Sequence, residues 1–471
     1  MIEIRQNSII VRNVDLKSEE FKKIKYRFSL YDPVRFKYSF SIFTIIDNDL
    51  YFPSSVSLSA IQSCFPDKKV EENFKTTTKG EIIDFKMKSL PRNDLQKSAL
   101  NFLLKIKKDN KIKQRFLSLK TGEGKTFVSI SFLSQIKKKA LIIVDTLSLA
   151  LQWKAEFLKH TDLIEADIKI LSGQDAVKKE KEETSGKIFI AIHRTLGNII
   201  SEDSNSLNSL MNKLKIGVRI FDESHVDFKN ICAINSLSNV EYTLYLTATP
   251  SRSNFNDNTL YGKVFKKIPY FNGENNASEK YHSVVFYKIN TYPNLETKLN
   301  IKTRYGFSSA KWASYLLNDV YEIFFSSLEK LIEKFSLIER KKKIAIMLPT
   351  IDLIKRVKTD LEELYGVDVG TFIGEIKKEK RIEELSKLII LTNPSIFDKA
   401  IDVSDLEVLI NYVPFGSIVK TEQIIGRLRY KEDKSSILID VTDYGFDECI
   451  KQFKIRKRFY KKKAKKIIEI E

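Results

Sequence analysis

Short β-branched runs recur along the chain, separated by stretches long enough for a helix, and that alternation leaves few folds open. "ALIIVDT" (140–146), "KIFIAIH" (187–193), "VRIFDES" (218–224) and "TLYLTATP" (243–250) make one block. "KIAIMLPT" (343–350), "VDVGTFIG" (367–374), "KLIILTNP" (387–394), "LEVLINYV" (406–413) and "SSILIDVTD" (435–443) make a second. Strands this apolar must be covered on both faces, and helices between them supply the cover, so each block reads as a parallel sheet of βαβ units. Two such blocks suit a chain of 471 residues, a length that fits two or three domains.

The remainder divides around these blocks. Residues 1–88 hold strand-like runs, "SIIVRNV" and "YSFSIFTII", with a turn in "DNDLYFP", and carry no chemical motif. They are expected to form a small α+β accessory domain, with nucleic acid as a candidate ligand. Residues 89–255 are the first α/β domain, opened by a helix at "SLPRNDLQKSAL" with proline in front and Asn93 or Asp94 as cap. Residues 256–335 read as an insertion or linker, and 336–471 as the second α/β domain with a basic tail.

Charge narrows the partners. Eighty Lys and Arg stand against 61 Asp and Glu, a formal charge of +19, which draws polyanions; a lysine-rich composition from an A/T-biased genome is the plainer explanation. The stretch 451–466 has ten basic residues in sixteen and no acid, with Phe453, Phe459 and Tyr460 between them. It reads either as a solvated terminal helix or as a nucleic-acid contact. No apolar run is long enough for a transmembrane helix or a secretory signal, and Cys64, Cys232 and Cys449 have neither metal-site nor disulfide spacing. An intracellular, cytoplasmic protein is expected (host cytoplasm if virally encoded), away from membranes.

Two motifs carry chemistry. In "LKTGEGKTF" (119–127), Gly122 and Gly124 let the backbone turn its N–H groups onto an anion at the start of a helix. Lys125 would reach the β- and γ-phosphates of ATP, and Thr126 would place its hydroxyl on Mg²⁺. The first glycine of the strict phosphate-loop pattern is replaced by Leu119. In "RIFDESH" (219–225) a strand ends in two acids, an arrangement that is costly unless used. Asp222 would hold Mg²⁺ through water, and Glu223 would orient and deprotonate the attacking water.

In content and order these motifs resemble those of superfamily 2 helicases. Gln96 is similar to the glutamine that reads adenine, and "KTGEGKT", including Thr121 and Glu123, to the family's first motif. "LIIVDTLSLALQWKAEF" and "AIHRTL" resemble the nucleic-acid-contacting motifs, "DESH" is a DExH-type box, and "LTATPSR" resembles the coupling motif through Thr247 and Thr249. "ILTNPSIFDKAIDVSDLEVLI" keeps Thr392 and Asp402 but has Ala400 at the usual glycine, and "QIIGRLRY" is similar to Q-x-x-G-R-x-x-R. "LQWKAEF", "DESH" and "QIIGRLR" look most like the branch holding XPB-type helicases, type III restriction subunits and phage UvsW-like helicases.

The resemblance implies two RecA-like parallel-sheet domains in tandem with ATP between them. Asp402 joins the ATP site; Thr146, Thr195 and Thr392 grip phosphates of the nucleic acid; Gln423 helps hold the water or phosphate, and Arg427 is the arginine finger. The second family arginine falls at Tyr430, so Arg429, one residue early, serves only if the backbone adjusts. The implied function is ATP-dependent unwinding or remodelling of DNA (single-stranded, forked or branched) in recombination, repair or replication. A duplex translocase subunit without strand separation, and an RNA helicase, are the alternatives. Protein partners are not indicated.

Overall fold

A computed structural model describes residues 1–470 other than 33–35, 76, 110–112, 121, 174–184, 249–254, 274–281, 304–305, 375–377, 398–405, 427 and 429–435. The chain forms two compact units, Met1–Asn276 and Ala277–Glu471.

The first unit opens with seven short strands: β1 (Ile2–Ile4), β2 (Ser8–Val11), β3 (Ser29–Asp32), β4 (Lys37–Ser41), β5 (Thr44–Ile46), β6 (Asp49–Pro53) and β7 (Val70–Glu72). Five of them form a sheet in the order β5-β6-β2-β1-β7, while β3 and β4 pair only with each other. Seven further strands follow: β8 (Gln114–Ser118), β9 (Ala140–Val144), β10 (Ile168–Leu171), β11 (Ile188–Ile192), β12 (Val218–Phe221), β13 (Tyr242–Thr247) and β14 (Tyr270–Asn272). They make one parallel sheet in the order β10-β11-β9-β12-β13-β8-β14. Both faces are buried, as the apolar strands require.

The N-terminal segment does not pack as a body of its own. Ile9, Phe28 and Phe52 share one core with Phe116, Phe221 and Tyr245 of the large sheet. Asn7, 0 % exposed, stitches the two together: its amide donates to Thr243 Oγ1 at 3.1 Å and accepts from Val240 N at 2.7 Å. A buried amide bonded at both ends fixes position as well as burial.

The second unit holds β15 (Ser283–Ile289), a small pair β16 (Lys302–Thr303) and β17 (Gly306–Phe307), then β18 (Ile344–Met347), β19 (Val369–Phe372), β20 (Ile389–Thr392), β21 (Val408–Asn411), β22 (Ile437–Asp443) and β23 (Lys466–Ile470). Its parallel sheet runs β19-β20-β18-β21-β22-β15-β23. The stretch 256–335 is therefore not a free-standing insertion: it gives β14 to the first sheet and β15 to the second. Local composition hides this, because both strands are recruited by partners distant in sequence.

The basic C-terminal stretch is also more built-in than its charge suggests. The helix Asp447–Lys463 buries Cys449, Phe453, Arg456 and Tyr460 at helical spacing. Arg456, 1 % exposed, donates from Nε and Nη2 to Asp440 on β22 at 2.8 and 2.7 Å and from Nη1 to Phe415 O at 2.6 Å. Lys451, Lys454, Lys461 and Lys462 stay exposed, so the solvated reading holds for one face only. No helix among the described residues is long and apolar enough to cross a membrane.

Candidate ATP site

In the first sheet, the chemistry gathers beyond the C-terminal ends of three adjacent strands, β12, β13 and β8. Ligands of open parallel sheets bind at that edge. The phosphate loop follows β8, Asp222 and Glu223 follow β12, and Thr247 ends β13 between them. Leu119 N donates to Thr247 O at 3.2 Å, so the loop begins tethered to the middle strand.

The loop owes its shape to its glycines. Gly122 and Gly124 have φ of +87° and +93°, a region L-residues avoid. A Cβ on Gly124 would also lie 2.2 Å from Gln96 Nε2. Gln96 is itself 2 % exposed and braces the loop, donating to Glu123 O at 3.0 Å and accepting from Arg92 N at 3.0 Å. Arg92 adds a bond to Gly122 O, and Glu123 accepts from Lys120 N at 2.6 Å. The helix Lys125–Ile136 then starts with Lys125 and Thr126 in its first turn, where the free N–H groups and the positive end of the dipole favour an anion.

Lys125 and the acid box are in contact. Lys125 Nζ lies 2.8 Å from Glu223 Oε1. The second carboxylate oxygen of Glu223 is 3.3 Å from His225 Nδ1, which in turn lies 2.8 Å from Thr247 Oγ1. One run of side chains thus joins the phosphate loop to the coupling strand. Glu223 sits at φ +46°, a strained conformation for a residue with a Cβ and one that recurs where geometry serves chemistry.

Asp222 lies deeper, 7 % exposed. Trp153 donates its indole N–H to Oδ2 at 2.8 Å, and the backbone N–H of Glu223 donates to Oδ1 at 2.9 Å. Burial, and after it the Glu223 charge, push the Asp222 carboxyl above its usual range, against the pull of Lys125 and Trp153. A divalent cation at this carboxylate would reverse that balance. Thr126, with its half-buried side chain on the first helical turn, and Asp222 offer two hard oxygens, which suits Mg²⁺ completing its shell with water and phosphate oxygen. Among the described residues no cluster of three or more His, Cys, Asp or Glu could hold a metal unaided.

Of the other expected site residues, Thr146 follows β9 and caps the helix Leu147–His160 by accepting from Leu149 N at 3.3 Å. Thr195, 9 % exposed, follows the neighbouring β11 and accepts from Gly173 N at 3.5 Å. Thr392, expected to grip a phosphate, is fully buried at the end of β20 and donates to Phe372 O at 2.9 Å. Gln423 lies half-buried on the helix Ile418–Ile425, which ends at Gly426. Thr121, Thr249, Asp402, Arg427 and Arg429 fall outside the described residues.

Three residues took no role from sequence reasoning: Arg92, Trp153 and His225. His225 follows the acids at the end of β12, whereas Trp153 lies within the helix Leu147–His160 and Arg92 before the helix Asp94–Leu104, where nothing local marks their partners.

Residues 89–252 match the family described as type III restriction enzyme, res subunit, and residues 325–431 match the helicase conserved C-terminal domain. The DNA 3'-5' translocase XPB2 of Sulfurisphaera tokodaii is 24 % identical over 413 residues, spanning 80 % of this chain and 86 % of that protein. The chain belongs to the superfamily 2 helicases. Within them it falls in the branch of XPB-type and type III restriction proteins. Transcript termination protein A18 of Yaba-like disease virus is 26 % identical over 351 residues, 69 % of this chain and 67 % of that one. In fold, the helicase resembles S. cerevisiae Dbp5 bound to RNA and ADP BeF3, with a TM-score of 0.56 and 12 % identity over 80 % of this chain and 89 % of that one. Its two sheets are the two RecA-like domains of the superfamily, and its function is that of an ATP-dependent nucleic-acid helicase or translocase.

Proposed function

We propose that this helicase moves on DNA, hydrolysing ATP with Mg²⁺, and unwinds or remodels forked or branched substrates. The observation that carries the reading is the contact run Lys125–Glu223–His225–Thr247 beside an under-bonded Asp222. Likeness to XPB2, named a DNA 3'-5' translocase, favours DNA. Bound nucleotide and magnesium supply an activated phosphoanhydride. With nucleotide bound, Lys125 would exchange its contact with Glu223 for phosphate oxygens, Glu223 would thereby be free to accept a proton from water, and Asp222 with Thr126 would hold the metal. His225 relays the position of Glu223 to Thr247. Arg427, with Gln423 and in part Arg429, serves transition-state charge; Thr121 and Asp402 complete nucleotide binding; Thr249 shares the coupling role of Thr247; and Thr146 and Thr195 contact the backbone of the nucleic acid.

ATP turnover measured without nucleic acid and with single-stranded DNA, duplex, forked DNA and RNA in parallel tests this. Stimulation strongest with forked DNA is expected. No stimulation by any polynucleotide, or Lys125→Ala retaining wild-type turnover, sinks the reading.

A further inference from the structure

The segment Phe21–Ser41 leaves aromatic rings in solvent where its neighbours bury theirs. Tyr26 is 81 % exposed, Tyr31 47 % and Phe36 83 %. Tyr31 and Tyr38 are cross-strand partners on β3 and β4, their rings edge-to-face at 5.4 Å. Lys25 Nζ stands 5.1 Å from the Tyr38 ring centre, and Lys22, Lys23, Arg27 and Lys37 of the same segment are exposed, with Lys22 paired to Glu19 at 2.6 Å and Arg27 donating to Ser63 Oγ at 2.8 Å. Asp32 is the single acid between Phe21 and Ser41. A patch built for burial against protein would exclude so many lysines, whereas rings interleaved with cations suit bases and phosphates.

The pair is anchored from behind to the ATP-binding half of the fold. Phe40 of β4 packs on Phe228 with ring centres 5.5 Å apart, and Phe228 opens the helix that follows the DESH box. Phe228 meets Phe265 at 5.8 Å, and Phe265 meets Tyr245 of β13 at 4.9 Å and Phe116 of β8 at 5.2 Å. Those are the strands that carry Thr247 and the phosphate loop. The inner ring is thus part of a rigid stack, and the outer rings are left to something else.

We propose that the β3–β4 pair is a stacking platform for unpaired bases of a single-stranded nucleic acid, with Tyr31 and Phe36 offering ring faces, Tyr38 supporting Tyr31, and Lys25 and Lys37 meeting phosphates. This rests on the nucleic-acid motor reading and adds a site that the helicase motifs do not include. Stacking on an aromatic side chain is sequence-tolerant, because every base has a π-face, which suits a protein that must move.

The test uses the full chain carrying Tyr31→Ala and Phe36→Ala together, and separately Tyr31→Trp. Affinity for fluorescent single-stranded DNA, single-stranded RNA and blunt duplex is read by anisotropy at one salt concentration, alongside ATP turnover without nucleic acid. The double alanine variant is expected to lose about tenfold or more in single-strand affinity. Duplex affinity and basal turnover should be unchanged, and Tyr31→Trp should bind at least as well as wild type. Loss with one sugar only identifies the strand as DNA or RNA and supports the platform. Unchanged affinity for both single strands overturns it, even if the variant loses a protein partner instead; stimulation of the wild type by duplex would then leave the motor reading standing. A wild type that neither binds nor responds to any polynucleotide overturns both.

Discussion

Each RecA-like unit contains a buried aspartate at the end of a sheet strand that accepts an indole N–H, yet the two are treated differently. Asp443, ending β22, accepts from Thr291 N and Gly445 N on Oδ1 at 3.3 and 2.9 Å, and from Thr291 Oγ1 and Trp312 Nε1 on Oδ2 at 2.7 and 3.1 Å. Among the described residues, Asp222 accepts the Trp153 indole and the backbone N–H of Glu223 alone, with the Lys125 and Glu223 charges close by. Four donors saturate a carboxylate and make it a structural tie. Two leave lone pairs facing an acid and an ammonium, which is costly as architecture and useful to a cation. The number of donors, more than burial, separates the working carboxylate from the structural one.

The sharpest way to break this comparison is to make the same substitution at both positions. Asp222→Asn should lower ATP turnover on the order of a hundredfold or more while the guanidinium unfolding midpoint moves less than at Asp443, since the amide oxygen still accepts from Trp153 and one donor, Glu223 N–H, is left facing the new amide N–H. Asp443→Asn should do the reverse: one oxygen is replaced by a donor facing donors, so stability should fall by about 2–4 kcal/mol with turnover of the folded fraction near wild type. Equal effects on turnover would collapse the distinction.

Acid probes the second unit differently. Burial lowers His282, whose Nδ1 faces Ser436, to about 4 from 6.5. The unfolded chain therefore takes up its proton first, and stability that is complete above pH 6.5 is lost as pH falls towards 4. Denaturant titrations should show about 2 kcal/mol lost by pH 5, and His282→Gln should flatten that slope. A variant with the wild-type slope would assign the loss elsewhere. The smallest effect belongs to the saturated site: Trp312→Phe removes one donor of four and should cost about 1 kcal/mol in the same assay. Trp153→Phe removes one of two, and its larger mark should be on turnover.

Strands β9, β11 to β13 and β18 to β22 were legible because runs such as Ala140–Val144 and Ile188–Ile192 are apolar throughout, which only a sheet covered on both faces tolerates. The phosphate loop and acid box were legible because glycines, a lysine and paired acids at strand ends have few other uses. What stayed hidden is long-range. Trp153 meets Asp222 across 69 positions, and neither residue's surroundings in sequence announce the other. Arg456 lies in a run of charges, and only the stripe Cys449, Phe453, Arg456 and Tyr460 turns it inward. The burial of Thr392 is set by the register of β20 beside β19 and β18, which periodicity does not encode. The residues between β1 and β7 carry strand composition, yet their merger with the first core is pinned by Asn7, one of four successive polar residues, Arg5 to Ser8, that nothing local marks out.

The place of β23 has a consequence for synthesis. The first large sheet is complete once Asn272 has been made. In the second, β15 lies between β22 and β23, so its first-made strand waits for its last two, Ile437–Asp443 and Lys466–Ile470. A ribosome releases the first unit ready to close, while Val284 and Phe286 of the second wait for Leu438 and Asp440 on one side and then for Ile467 and Glu469 on the other. Nascent chains stalled between these points should therefore engage holdase chaperones through the second unit and not the first.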